Sequence, residues 1–440
     1  MKLTGWGKYP IINAKISTPS SLQELVKQIA YGNVIARGNG RSYGDSAISV
    51  SNTIDMKGFN RLLEFNKVTG QLVAESGVLL SEVIDTFLPR GWFPKVTPGT
   101  KFVTLGGMVA SDVHGKNHHK DGSFSNFVDW LDVIGSDGLI KRCSREQNSE
   151  LFNWTFGGMG LTGIILNVAF RLQSVSSSWI KQRTISTTNI EHTIDVFEET
   201  LSDATYSVAW IDCLSSGNKL GRSIVILGDH AKASGLPHNK IESPLVIKPK
   251  KKMKIPINIL SFVLNNLTVK IFNSLYYWMR KSQKKDSLVD WDAYFYQLDS
   301  ILNWNEIYGH QGFAQFQCVI PLKNSKKAMK ELLQAISKVR AGSFLAVLKR
   351  LGYQDSYFSF PMEGYTLALD FSITKKNLAL MNELDKITLK NNGRFYLVKD
   401  SRMSSDIFHK SDSRIEDFKE FKRRNGSKTF SSAQSERLKL

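Results

Sequence analysis

The stretch Ala36-Arg37-Gly38-Asn39-Gly40-Arg41-Ser42-Tyr43-Gly44-Asp45-Ser46 follows a short apolar run, Asn33-Val34-Ile35-Ala36, that reads as a strand. Its glycines let the backbone approach a ligand closely and take up positive φ, so that consecutive N–H groups can converge on an anion. Arg37 and Arg41 add forked donors suited to phosphate. The spacing is G-x-G-x-x-x-G, unlike the G-x-G-x-x-G of a dinucleotide-binding turn, and that turn opens a helix. Here Ala47 to Met56 alternates apolar and polar with β-branched residues, a strand pattern. No Lys-Ser or Lys-Thr follows the last glycine, which excludes a P-loop. The loop therefore joins two strands and offers a pyrophosphate its backbone and arginines. An ordinary Gly-rich turn is the competing reading.

A chain of 440 residues can bury one large core or two ordinary ones, and 42% hydrophobic with 22% charged residues is the composition of a folded soluble protein. Cys143, Cys213 and Cys318 are far apart and odd in number, which offers no disulfide framework and no metal-ligand spacing and points to a reducing compartment. The first residues lack the apolar h-region of a secretory leader, and no uninterrupted apolar run is long enough for a transmembrane helix. The formal charge of +18 is concentrated: between Lys248 and Lys285 stand ten Lys or Arg and no Asp or Glu. A local cationic patch of this kind points to a specific anionic partner.

Trp6 to Pro10 reads as an irregular arm. Leu22, Leu25, Val26 and Ile29 recur at helical spacing after a cap near Ser20 or Ser21, and Leu80–Leu88 repeats the pattern. The next informative stretch runs from Thr97 to His119 and mixes Gly99, Thr100, Thr104, Gly106, Gly107 and Ser111 with three histidines, the small residues and polar ends that a ring laid against backbone requires. His118 and His119, being adjacent, make a poor metal pair and read as surface-loop residues. His114 reads as an inside residue, either a ligand contact or a satisfied core histidine. Phe127–Ile134 and Leu139–Cys143 flank a hairpin turn at Gly135-Ser136-Asp137-Gly138. The glycines from Gly157 to Gly163, with Gly160 and Ile164, serve either tight packing or the wall of the same site. Beyond about Ser176, strands at Val208–Asp212, Ser223–Gly228, Phe313–Pro321 and Tyr365–Phe371, with helices at Ser325–Val339 and Asn377–Leu389, predict an antiparallel α+β domain. Alternation sets Gln315 and Gln317 on one strand face and Phe316 and Cys318 on the other. The tail helix, Arg414 to Arg424, reads as solvated.

Arg37-Gly38-Asn39-Gly40-Arg41-Ser42, Pro98-Gly99-Thr100, Thr104-x-Gly106-Gly107 and Gly158-x-Gly160-Leu161-Thr162-Gly163-Ile164 together resemble the PCMH-type FAD-binding domain of the vanillyl-alcohol-oxidase superfamily. Within it, His114-Gly115-Lys116-Asn117-His118-His119 and Lys399-Asp400-Ser401-Arg402 resemble the decaprenylphosphoryl-β-D-ribose oxidases, and the likeness spans essentially the whole chain. The resemblance implies an α+β fold: a two-part FAD-binding domain at 8–175, a substrate-binding domain at 176–392 carrying a basic, apolar lid at 248–285, and a C-terminal return at 393–440. It implies FAD held by the segment from Ala36 to Ser46, by Gly99, Thr100, Thr104, Gly106, Gly107, Ser111 and His114, and by Gly160, Gly163, Ile164 and Tyr396. Many relatives attach flavin to a histidine before the serine; Arg41 stands there and cannot form that bond, so non-covalent FAD is expected. Lys399 and His114 are the implied proton-handling residues. Lys116, Trp210, Gln315, Gln317 and Lys399 are the implied substrate contacts, although Gln317 read alone is a sheet-surface polar residue and Lys399 a solvated strand end. Related enzymes carry a reactive pocket cysteine where this chain has Ala368.

The implied reaction is oxidation of the 2′-hydroxyl of a polyprenylphosphoryl ribose to a ketone, completed by a separate NAD(P)H-dependent short-chain ketoreductase to make an arabinose donor. The basic, apolar segment suits the surface of the inner membrane from the cytoplasmic side, or a mobile loop of no consequence; its apolar middle argues against nucleic acid. The alternatives are an aldonolactone or alditol oxidase for a soluble sugar and a non-enzymatic membrane-binding protein.

Overall fold

Strand pairing sorts most of the described strands into three sheets. The computed structural model describes residues 1–247, 253–254, 266–281, 286–343 and 345–440. A small parallel sheet joins Ile16–Ser17, Asn52–Asp55 and Val34–Arg37. The helix Leu22–Ala30, its first turn capped by the Ser21 hydroxyl, buries Leu25 and Ile29 against Val34, Ile54 and Phe430, while Leu22 is exposed. Parallel neighbours cannot be joined by a tight turn and need a long crossover. Residues 38–51 supply it without a helix. The strand expected from Ala47 shrinks to Asn52–Asp55, because Ser49 donates from its hydroxyl to the Asn33 carbonyl at 2.6 Å and from its N–H to the Thr53 hydroxyl at 2.9 Å, holding the preceding residues as a loop.

A second, antiparallel sheet runs Ile140–Ser144, Val128–Ile134, Ile164–Ser174, Gln71–Glu75 and Leu62–Asn66, with Trp92–Pro94 pairing the end of the long central strand. The third sheet has eight antiparallel strands in the order Asp286–Asp290, Trp179–Thr187, Ser223–His230, Tyr206–Ile211, Ala346–Leu351, Gly364–Ser372, Phe313–Pro321 and Arg394–Phe395. Helices Ile190–Glu199, Leu322–Val339 and Lys375–Lys390 cover the face that carries Phe316, Cys318, Leu367 and Leu369, forming the largest core. The opposite face is left to roof a cavity.

The tail helix Ile415–Arg424 is a correction to its reading as a solvated element. Ile415, Phe418 and Phe421 are buried, Phe418 stacks on Phe358 at 4.4 Å, and Phe421 stacks on Trp154 at 5.7 Å. Charge count hid an apolar stripe at i, i+3 and i+6. Part of the proposed lid at 248–285 lies outside the described residues. Within it, Asn266–Lys281 is a helix, and no helix among the described residues is long and apolar enough to cross a membrane.

Candidate active site

The N-terminal arm fastens the Gly-rich loop: Trp6 N–H donates to the Ser42 carbonyl at 2.7 Å and Gly7 N–H to the Tyr43 carbonyl at 3.0 Å. Gly38, Asn39, Gly40, Arg41, Ser42, Tyr43 and Ser46 then line a cavity of about 390 Å³, with Ala36 at its start. The Arg41 guanidinium lies 3.9 Å from the Trp6 ring. Gly38 passes so close to Thr104 that a Cβ would collide with its side chain. Thr104 in turn caps Leu105–Ala110 by accepting from Gly107 N–H, and Gly106 N–H donates to the Ser76 carbonyl at 2.8 Å. Gly99, Thr100, Thr104, Gly106, Gly107, Ser111, Gly160 and Gly163 line the same space.

Four residues expected at the cofactor turn away from it. Arg37 donates to the Thr4 carbonyl at 2.8 Å and packs beneath Gly40, where its guanidinium braces the loop from behind. Gly44 is pressed against the backbone of Asp400 and Ser401. The Asp45 carboxylate receives two bonds from Arg437, at 2.8 and 3.1 Å. Ile164 points into the core under the small sheet, while its neighbours Gly163 and Ile165 line the cavity. Strand alternation decides the direction for Arg37 and Ile164, a buried ion pair for Asp45 and close backbone packing for Gly44, none of which residue type alone reveals.

Cross-strand register builds the roof. Gln317 opposes Ala368, Ala368 opposes Val347, and Val347 opposes Trp210, a row across four strands; beside it Gln315 pairs with Asp370 and Thr366 with Lys349. Gln315 Nε2 donates to Asp370 Oδ1 at 2.5 Å and Gln317 Nε2 to the Thr366 hydroxyl at 3.2 Å. Lys399 enters from the C-terminal return, its Nζ 3.7 Å from the Tyr43 ring, and Tyr43 N–H donates to the Val398 carbonyl at 2.9 Å. Tyr396 lines the wall, its hydroxyl donating to the Ser111 carbonyl at 3.1 Å. Lys116 donates to the Tyr294 carbonyl.

Burial sets the charge of this group. It brings Lys349 down to about 8 and, with Lys349 nearby, Lys116 down to about 7. It lowers Lys399 against the pull of the Asp370 carboxylate, and raises Asp370 against the Gln315 donor and Lys399. His114 is pushed well below the usual histidine value by burial, then by Lys349, His118 and Lys399, so its imidazole is neutral at neutral pH. Its ring lies 5.2 Å from that of Tyr396.

His118 and His119 correct the surface-loop expectation. They occupy one turn of a short helix, so the two rings diverge to separate partners. His118 Nδ1 accepts from Gly352 N–H at 3.1 Å while Nε2 donates to Gln354 Oε1 at 2.7 Å; His119 Nδ1 lies 3.3 Å from the Ser207 hydroxyl. They clamp the His114 segment to the roof sheet. Lys349, Asp370, Trp6 and Trp304 join the site, or stand directly behind it, without having been singled out in the sequence. For Lys349, the alternation of Ala346–Leu351 carried a signal, since it shares a face with Val347.

The residues present fit FAD. Arg41 Nε, Ser42 Oγ, Ser76 Oγ and His114 Nδ1 are buried with no partner among the described residues, and all four residues line this one cavity. Each orphaned buried group costs about 1–3 kcal/mol unless a ligand satisfies it. A model of the FAD binding domain matches residues 13–144. Fold, site and match define an FAD-dependent oxidoreductase. Decaprenylphosphoryl-β-D-ribose oxidase of Mycolicibacterium smegmatis is 32% identical over 452 aligned positions, covering 100% of this chain and 97% of that protein. Cow L-gulonolactone oxidase is 26% identical over 47% of each chain, and Arabidopsis thaliana cytokinin dehydrogenase 5 is 30% identical over 37% of this chain and 33% of its own. The chain belongs to the decaprenylphosphoryl-β-D-ribose oxidase family.

Proposed function

We propose that this chain oxidises the 2′-hydroxyl of a polyprenylphosphoryl-β-D-ribose to the 2′-ketone, with FAD held non-covalently. The observation that carries the reading is the convergence of Lys116, Lys349 and Lys399 with Gln315 and Gln317 on one cavity. The ammonium groups of Lys116 and Lys349 suit a phosphate-bearing substrate, and the two amides suit sugar hydroxyls. Bound FAD supplies the hydride acceptor. In this reading deprotonated Lys399 and neutral His114 take the hydroxyl proton, and the Arg41–Trp6 stack offers flavin no attachment point. Trp210 and Val347 give the sugar an apolar wall. A separate NAD(P)H-dependent ketoreductase then completes epimerisation to an arabinose donor for cell-surface glycan, at the inner face of the cell membrane. Oxidation of a soluble alditol or aldonolactone is the second reading; the partial likeness to L-gulonolactone oxidase favours it, and the lysine cluster weighs against it.

The test is spectral. Acid precipitation of the purified protein is expected to release flavin into the supernatant, and anaerobic mixing with polyprenylphosphoryl ribose in detergent to bleach the flavin band. Flavin retained in the pellet would refute non-covalent binding. Bleaching by an alditol but not by the lipid-linked sugar would establish the second reading.

A further inference from the structure

The helix Asn266–Lys281 turns apolar side chains in two opposite directions. Its inner face is anchored: Val269 and Asn273 are buried, Asn273 donates to Asp212 Oδ1 at 3.0 Å, and the Tyr277 hydroxyl donates to the Thr187 carbonyl at 3.1 Å. On that side Tyr276 meets Trp210 with ring centres 4.7 Å apart, and both residues line the cavity. The outer face presents Ile271, Phe272, Leu275, Trp278 and Met279, exposed by 58, 44, 52, 65 and 50%. Their spacing of i, i+1, i+4, i+7 and i+8 is an amphipathic stripe aimed at solvent. Large apolar side chains gathered on one exposed face mark an interaction surface.

The charge around the stripe selects the occupant. Lys270 and Lys281 are exposed on the same helix, Arg280 stands beside them, and the sequence from Ser243 to Lys285 contains no acidic residue. A second copy of a chain with net charge +18 would bring further cations against these. An apolar stripe flanked by lysine and arginine matches the boundary between acyl chains and anionic headgroups.

We propose that the outer face of this helix docks in the plane of an anionic lipid bilayer, with Tyr276 on the opposite side still over the cavity. The sugar end of a lipid-linked substrate then reaches the cavity while its tail remains in the membrane. The substrate's part rests on the proposed function above; the docking rests on the helix.

The experiment is flotation of the full-length, FAD-loaded protein with phosphatidylcholine vesicles, with and without about a third phosphatidylglycerol. The protein is expected to float with the anionic vesicles only and to be released by salt. Replacing Phe272, Leu275 and Trp278 together by serine is expected to weaken binding about tenfold or more, with FAD content and melting midpoint unchanged. Trp278→Ser alone serves if the triple variant does not fold, and Lys270→Glu with Lys281→Glu tests the charge. Wild-type protein that stays at the bottom of the gradient overturns the proposal, as does binding that no variant weakens. A dimer lost on serine substitution, without vesicle binding, assigns the face to a second copy and also overturns it. Flavin bleaching in detergent is independent of docking: bleaching without flotation refutes the docking alone, and flotation without bleaching refutes the substrate reading alone.

Discussion

Arg437→Met should cost about 4 kcal/mol of stability, from the usual 3–5 kcal/mol for stripping one partner from a buried ion pair. The Arg437 fork reaches Asp45 at 2.8 and 3.1 Å, Asp400 at 2.9 Å and the Met403 carbonyl at 2.6 Å. The two carboxylate side chains are only 4% and 8% exposed. Asp400 keeps N–H donors from Arg402 and Met403 at 3.1 and 2.9 Å, so the larger penalty falls on Asp45. Burial already raises the Asp45 pKa against the opposing pull of Arg437, and removing that pull raises it further. A carboxyl whose folded pKa lies above its unfolded value is stabilised as pH falls, because the folded state binds the extra proton. The deficit of the variant relative to wild type should therefore shrink on acidification. Because Asp45 lies in the Gly-rich loop and Asp400 follows Lys399, the same variant should bind FAD more weakly. Urea unfolding at fixed excess FAD, followed by tryptophan fluorescence at neutral and mildly acidic pH, measures both effects. A loss below about 1 kcal/mol, the scale of an exposed pair, or a deficit that does not change with pH would refute the reasoning.

The remaining expectations concern the cavity and the core. Since Lys349 and Lys116 sit near 8 and 7, the cavity gains positive charge as pH falls through these values. The KM for a phosphate-bearing substrate should fall with it, and Lys349→Met should remove the upper inflection in the KM profile. Lys399→Met should slow anaerobic flavin reduction by about a hundredfold or more, the usual weight of a general base, while FAD content stays unchanged; an unaltered rate would remove Lys399 from proton handling. Native-state thiol labelling followed by mass spectrometry should leave the protein unmodified, because Cys143, Cys213 and Cys318 are buried with their thiols pushed up to about 12. Ala368→Cys should create one labelled site, protected by substrate. Phe418→Ala should cost about 3–5 kcal/mol in urea unfolding, as expected for a buried aromatic.

Local pattern carried a large part of the site. Gly38, Gly40 and the Thr104-to-Gly107 turn were legible because their chemistry depends on backbone conformation a few residues long. The alternation of Phe313–Pro321 told Gln315 and Gln317 apart from Phe316 and Cys318, and the cofactor class was implied by the family these motifs resemble. Residues whose role depends on a partner far along the chain were not legible in this way. Arg37 and Asp45 were both expected at the cofactor, yet one braces the loop through Thr4 and the other is claimed by Arg437, 392 residues away.

By itself, then, the sequence determined a Gly-rich loop suited to a pyrophosphate, an α+β fold and a strand face bearing two glutamines, and its resemblance to a known family implied FAD. Only the tertiary structure decided what lies opposite that face. The register of Ala346–Leu351 and Gly364–Ser372 carries Lys349 to the cavity and sets Asp370 beside Gln315, where they join Lys399 and Ala368, which the resemblance already implied for the pocket. Periodicity says which side of a strand a residue takes, since that is a property of the local backbone. Which strand comes to lie beside it, and so which charges share one dry cavity, is settled by burial of the whole core.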